Sequence, residues 1–234
     1  MDTIFKFKQF ELLQNEKVMK VGTDGLLLGA WVNVENKKNI LDIGTGCGIL
    51  PLMMAQRQPF ATIIGIDIDE SAHELAKKNF SSSKFENITS QCVSLQEFEH
   101  PDQFDLIVSN PPFFSGGTLS DNGDRNRMRQ TIKLSHQDLL KHVKRLLSID
   151  GDFSVILPTL EGMRFIEMAS IYNLYCNKVT EIKPSEGKPV ERLLINLNRK
   201  ESEIAKNELI IDKGKRNDWT VEYMQLTADY HINL

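Results

Sequence analysis

The chain has 234 residues, 41% hydrophobic and 26% charged, with a formal net charge of -4. That length fits one α/β domain able to bury a core, and a mildly acidic total confines any nucleic-acid-binding patch to part of the surface without excluding it. No run approaches the ~20 apolar residues of a membrane span, and Cys47, Cys92 and Cys176 show no CxxC or Cys/His ligand spacing, so neither a membrane partner nor a metal site is expected.

The opening "MDTIFKFKQFELL" carries scattered acids and lysines and no long apolar core, unlike a signal peptide. With few, odd-numbered thiols, this points to a cytoplasmic protein. The alternation of Phe5 and Phe7 in "IFKFKQFELLQ" predicts a short strand or hairpin. "TDGLLLGAWV" (23–32) predicts a helix with Thr23 or Asp24 as N-cap. "KNILDIG" reads as a strand ending in glycine, and "GILPLMMAQRQ" as a helix with Pro51 in its first turn. "ATIIGIDID" is a second strand, "ESAHELAKKNF" a second helix, "ITSQCVSL" a weaker third strand and "FDLIVSN" a fourth. "SHQDLLKHVKRLLS" is an amphipathic helix whose Leu139, Leu140, Val143, Leu146 and Leu147 share a face. "GDFSVILP" is a fifth strand, "GMRFIEMASIYN" a helix, and "LYCNKVTEIKP" with "VERLLINLNR" a closing antiparallel pair. Strands alternating with helices mean a mostly parallel sheet covered on both faces. Such sheets bind ligands beyond their carboxyl ends, and every candidate motif falls there.

"LDIGTGCGIL" (41–50) places Gly44, Gly46 and Gly48 after the first strand. Glycine allows a sharp turn and close approach to a ligand. The spacing is GxGxG, so the GxGxxG dinucleotide pattern is not met. Asp67, about 20 residues on, ends the second strand, where an acid can accept ribose hydroxyls. Asp42, inside the turn, suits a cofactor with a cationic amino group better than a pyrophosphate. S-adenosylmethionine has that ammonium and no phosphate.

The fourth strand ends in "SNPPFF". The Asn110 side chain and the Pro111 carbonyl are two acceptors able to take both hydrogens of a planar amino group. Pro111 and Pro112 stiffen the corner, and Phe113 offers a face for stacking. "ILDIGTGCG", "GIDID" and "SNPPF" resemble the motifs of class I S-adenosylmethionine-dependent methyltransferases. That resemblance implies a Rossmann-like α/β fold: a seven-stranded mostly parallel sheet with helices on both faces and a C-terminal antiparallel hairpin. It also implies that Asp42, Gly44, Thr45, Gly46 and Gly48 line the methionine part, that Asp67 with Ile68 after it holds the ribose side, and that Asn110 borders the cofactor. Where the family often ends its third strand in an acid, this chain has Ser94; the adenine contact falls to Ser94 or to the backbone near Leu95.

A second likeness is more specific. "MKVGTDGLLLGAW" (19–31), preceded by "FKFKQFELLQ", resembles the opening of the bacterial tRNA adenine-N6 methyltransferases that modify position 37 of a valine tRNA. "KPSEGKPVERLLINL" resembles their late hairpin, with Arg192 as its arginine, and "GGTLSDNGDRNRMRQTIKLSHQDLL" their loop after the NPPF corner. The resemblance covers nearly the whole chain. It implies one methyltransferase domain over residues 1–234, with 1–38 a segment covering substrate and cofactor, and with Thr23 and Asp24 beside the cofactor. From the residues alone, Arg125, Arg127, Arg129, Lys133, Lys141, Lys144 and Arg145 against Asp124 and Asp138 give a local excess of five positive charges, suited to phosphates. Arg125, Arg127, Arg129, Lys133 and Arg192 are the expected RNA contacts; Lys141, Lys144 and Arg145 also fit a solvated helix face. The expectation is a monomer methylating tRNA, with no DNA partner. Two other readings stand beside it: a protein glutamine-N5 methyltransferase, and a non-catalytic S-adenosylmethionine-binding module. Against the first, only about 38 residues precede the glycine-motif strand, too few for a substrate domain.

Overall fold

The computed structural model describes residues 3–16, 18, 22–111, 134–215 and 218–230. A hairpin of β1 (Thr3–Lys6) and β2 (Glu11–Gln14) comes first, then helix α1 (Thr23–Trp31). The parallel core follows: β3 (Asn39–Ile43), α2 (Ile49–Arg57), β4 (Thr62–Asp67), α3 (Glu70–Ser81), β5 (Ile88–Cys92) and β6 (Phe104–Ser109). The remainder comprises α4 (His136–Leu146), β7 (Leu147–Pro158), α5 (Thr159–Ile171), β8 (Tyr175–Ser185), β9 (Arg192–Asn198), β10 (Ala205–Asp212) and α6 (Val221–Thr227). The large sheet has the order β10-β8-β9-β7-β6-β3-β4-β5. Its neighbours are parallel except at β9, which runs against both β7 and β8. This is the Rossmann-like architecture expected, with the closing antiparallel strands, but the sheet has eight strands where seven were expected, because β10 adds to the edge beside β8.

Alternate residues of each strand enter opposite layers. Ile40, Ile63, Leu106, Val108 and Ile156 pack with α1, α2, α3, α6 and the hairpin. Leu41, Ile43, Ile64, Ile66, Ile107, Phe153 and Val155 pack with α4 and α5. Burial on both faces explains why these strands read as continuous apolar runs. β5 lies at the sheet edge and exposes most of its residues, which accounts for its weaker apolar signature. β3 lies between β4 and β6, and the strand order reverses there. A crevice opens at such a reversal, beyond the strand ends.

Several boundaries differ from the sequence reading. The N-cap of α1 is Gly22, with no side-chain cap bond; Thr23 and Asp24 are its first two residues. Leu147 leaves the apolar helix face and pairs with Phe104 as the start of β7, because that backbone completes the sheet. The helix expected from Gly162 begins at Thr159. β10 and α6 were not anticipated; "AKNELIID" is half polar, with no regular alternation, and gains its strand partner from β8.

Gly48 shows how closely α3 approaches the first turn. Its φ is +84°, and a Cβ there would lie 2.8 Å from Phe80 Cζ. Gly48→Ala is expected to cost about 2–4 kcal/mol, from the left-handed backbone plus displacement of the Phe80 ring. Urea unfolding measures it, and a loss below about 0.5 kcal/mol would contradict this packing.

Candidate active site

The turn after β3 is built from backbone hydrogen bonds. The Gly44 and Thr45 N–H groups both donate to the Ile66 carbonyl, at 2.9 and 3.0 Å, and the Gly48 N–H donates to the Thr45 carbonyl at 2.8 Å. Gly44, Gly46 and Gly48 all have positive φ. A Cβ on Gly44 would meet nothing within 4 Å, and one on Gly46 only Val18 Cγ1 at 4.0 Å. The turn is therefore an open floor, approached by the N-terminal segment. Gly65, opposite Asp42 in the β3–β4 register, leaves room for the Thr45 side chain: a Cβ there would stand 2.5 Å from Thr45 Oγ1.

Asp42 is 1% exposed, and neither of its carboxylate oxygens has a hydrogen-bond partner among the described residues. Burial pushes this carboxyl up to about 7. The nearby Thr45 hydroxyl offsets part of that rise and the Asp67 charge adds to it, but Thr45 Oγ1 does not meet hydrogen-bond geometry and is itself buried without a partner among the described residues. A buried, unpaired carboxylate is costly, and an ammonium group placed beside it would relieve that cost. The residues thus fit the amino-acid end of S-adenosylmethionine.

Asp67, at the end of β4, accepts from the Gly46 N–H at 2.9 Å through Oδ2 and from the Asp69 N–H at 3.0 Å through Oδ1. These bonds lock the acid to the glycine turn, and each oxygen keeps lone-pair capacity for a hydroxyl. Burial raises its pKa against those two donors. Ile68 follows, 49% exposed, an apolar surface beside the crevice. Ser94 lies past β5; its hydroxyl donates to Glu97 at 2.7 Å and its carbonyl caps the next turn. The side chain expected at the cofactor adenine thus has a local partner.

Asn110 and the buried Pro111 follow β6. The β3–β6 register pairs Ile43 with Ser109, which sets Asn110 alongside Gly44. The Ser109 hydroxyl donates to the Ile43 carbonyl at 2.8 Å, a second stitch between the two strand ends. α1 approaches from above: a Cβ on Gly25 would lie 3.5 Å from Ile49 Cγ2 and 3.9 Å from Asn110 Nδ2. Thr23 is exposed and Asp24 half-buried at the start of that helix. Arg192 Nε donates to Asp24 Oδ2 at 3.0 Å. Pro112, Phe113, Arg125, Arg127, Arg129 and Lys133 lie outside the described residues.

Asn79, Ser109 and Glu161 escaped the sequence reading. Asn79 is buried in α3; its Nδ2 donates to the Leu13 carbonyl at 3.0 Å and the Cys47 carbonyl at 2.8 Å, and its Oδ1 accepts from the Leu13 N–H at 2.8 Å. It ties the hairpin to the glycine turn. The available signal was an amide on the apolar face of "ELAKKNF", between Ala76 and Phe80.

The methyltransferase small domain model matches residues 16–175. Relatives named tRNA1(Val) (adenine(37)-N6)-methyltransferase include that of Pseudoalteromonas translucida, 36% identical over 98% of this chain and 99% of its own length. Those of Vibrio campbellii and Bacteroides thetaiotaomicron are each 38% identical over 98% of this chain, and over 96% and 98% of their own lengths. The chain belongs to the tRNA1(Val) (adenine(37)-N6)-methyltransferase family. Among solved structures, a predicted O-methyltransferase from Agrobacterium tumefaciens matches with a TM-score of 0.67 at 17% identity, covering 88% of this chain and 96% of that one. The T. thermophilus 16S rRNA N2 G1207 methyltransferase, in complex with AdoMet and guanosine, matches at 0.61 and 17% identity, over 86% of this chain and 50% of that one. These two likenesses concern the fold alone. Within the family assignment, the glycine turn, Asp67 and Asn110 are the parts of the crevice that the chain itself supplies.

Proposed function

We propose that this chain transfers a methyl group from S-adenosylmethionine to the N6 amino group of an adenine in the anticodon loop of tRNA, adenine 37 of tRNA1(Val) being the position its relatives' names specify. The carrying observation is the likeness to those relatives over 98% of the chain. The geometry supports it by placing Asn110 beside the glycine turn.

Asp42 pairs with the ammonium of the methionine part; Gly44, Thr45, Gly46 and Gly48 form its floor; Asp67 takes the ribose hydroxyls, with Ile68 and Ser94 toward the adenine. Bound there, the cofactor supplies an electrophilic methyl group on a sulfonium. Asn110 and the Pro111 carbonyl accept the two hydrogens of the target amino group. That amine is a poor nucleophile because its lone pair is delocalised into the base. Acceptors fixed in advance act most strongly as positive charge develops on the nitrogen during transfer. As the nitrogen–carbon bond forms the carbon–sulfur bond breaks, the thioether S-adenosylhomocysteine leaves, and the extra proton on nitrogen passes to solvent. Pro112 stiffens the corner, and Phe113 stacks on the flipped base, as aromatic groups do with single-stranded bases. Arg125, Arg127, Arg129 and Lys133 hold phosphates flanking the entrance, which makes binding salt-sensitive. The chain works as one domain, with residues 1–38 as its covering segment. One site acting on one loop requires only a monomer, and a tRNA substrate places it in the cytoplasm, with no role for DNA.

Incubating the purified protein with methyl-labelled cofactor and unmodified tRNA, then digesting, is expected to yield labelled N6-methyladenosine. Label in a protein substrate instead would favour glutamine methylation, and no transfer at all would favour a binding module.

A further inference from the structure

We propose that Arg192 is a positioning residue for methyl transfer: its ion pair with Asp24 fastens the start of α1 against Asn110. The proposal rests on the methyl-transfer reading of the site. Arg192 opens β9 opposite Pro158, the last residue of β7. Because β9 runs backwards, its first residue stands at the carboxyl end of the sheet, on the Asn110 side. Two strand spacings, about 10 Å, separate the β9 and β6 axes. The guanidinium spans part of that gap and reaches Asp24 at 3.0 Å, joining residues 168 positions apart in sequence.

The start of α1 is weakly held by its own helix. Its N-cap is a glycine without a side-chain bond, and the Leu26 N–H reaches the Gly22 carbonyl only at 3.4 Å. Helix starts lacking a cap leave donors unsatisfied and fray. Yet Gly25, the residue after Asp24, lies near enough to Ile49 and Asn110 that a Cβ on it would stand 3.5 and 3.9 Å from them, so a shift of this turn moves backbone that borders the reacting corner. An anchor from outside the helix is therefore needed, and Arg192 supplies it. Arg192 Nη1 also donates to the Glu191 carbonyl at 3.1 Å, which orients the fork.

The charge around Arg192 argues against a free phosphate contact. Glu161 lies within its field and has one oxygen, Oε2, buried without a hydrogen-bond partner among the described residues. Arg164 also acts on Glu161, so two guanidiniums face the two carboxylates of Asp24 and Glu161, and these four groups sum to no net positive charge. The pair's side chains are only 28% and 23% exposed, so its loss also costs some stability, and melts are read before rates.

The test compares Asp24→Asn, Arg192→Gln, Arg192→Lys and the Asp24→Asn/Arg192→Gln double variant on unmodified tRNA1(Val) transcript, after thermal melts establish folding. Each of the first two is expected to lower kcat roughly tenfold, the double variant no further than the worse single, and Arg192→Lys to recover part of the loss. The affinity for S-adenosylhomocysteine and the salt dependence of tRNA binding stay near wild type. Besides silent variants, three results would overturn the proposal. One is an active Asp24→Asn beside an Arg192→Gln whose salt slope falls by about one, which marks a phosphate contact. Another is weaker S-adenosylhomocysteine binding in Asp24→Asn alone, which marks a direct cofactor ligand. The third is single-variant effects that multiply in the double. Wild-type turnover on the same transcript separates the two levels: without it the functional reading fails, and with it, silent variants sink only the positioning role.

Discussion

Asn110→Ala is expected to lower kcat by at least roughly 10²-fold, the scale of losing one preorganised polar contact to a developing charge, while S-adenosylhomocysteine still binds. The two effects separate because Asn110 follows β6, whereas Asp42, the glycine floor and Asp67 come from β3, β4 and the turn between them. The Ser109 hydroxyl and the β3–β6 register hold that corner without help from the Asn110 side chain. Truncation therefore removes an acceptor and leaves the backbone in place. Asn110→Asp, which keeps an acceptor oxygen at the same position, is expected to retain more activity than alanine. Single-turnover methylation with saturating cofactor reads both. A wild-type rate in the alanine variant would sink the proposed role of the corner.

Asp42→Asn is expected to have opposite effects on the two properties it touches. Burial raises the folded carboxyl from 3.8 to about 7. Below the lower value both folded and unfolded chains hold the proton, and this group is silent. Between the two values the unfolded chain releases a proton that the folded one keeps, so stability falls as pH rises. Above about 7 the penalty is complete, with a ceiling of about 4 kcal/mol. Asparagine cannot ionise, so the ligand-free variant gains stability at pH 8 and loses most of its decline between pH 4 and 7. Cofactor binding moves the other way. Losing one member of a buried charge pair costs about 2 kcal/mol or more, a factor of roughly 30 in affinity. Wild-type affinity for S-adenosylhomocysteine should also tighten from pH 6 to 8, as the carboxylate ionises without a proton to displace. Thermal melts and calorimetry across that range measure each effect. A variant less stable at pH 8 and unchanged in affinity would contradict the ammonium assignment.

Part of the molecule was legible because its information is local. The apolar runs of β3, β4, β6 and β7 carry the mark of strands buried on both faces, and Leu139, Leu140, Val143 and Leu146 at helical spacing mark the buried face of α4. The helix at α1 was foreseen but its cap was not. Thr23 and Asp24 have the chemistry of N-caps, yet Gly22 takes that position and Asp24 turns to Arg192. β10 escaped notice because its polar residues become a strand only beside β8. Arg192 was expected at RNA from the resemblance of its hairpin, whereas its ion pair with Asp24 joins residues 168 positions apart and shows only in the folded chain.

By itself the sequence determined the alternation of elements, the glycine turn with Asp67 beyond it, and the Asn110–Pro111 corner. These follow from backbone preference and side-chain chemistry within a few residues. Only the tertiary structure decided that Asp42 is enclosed with no hydrogen-bond partner among the described residues, that Asn79 joins the hairpin to the Cys47 carbonyl, and that Asp24 meets Arg192. Those facts depend on how distant segments dock, and burial and ion pairing arise between elements after packing has brought them together.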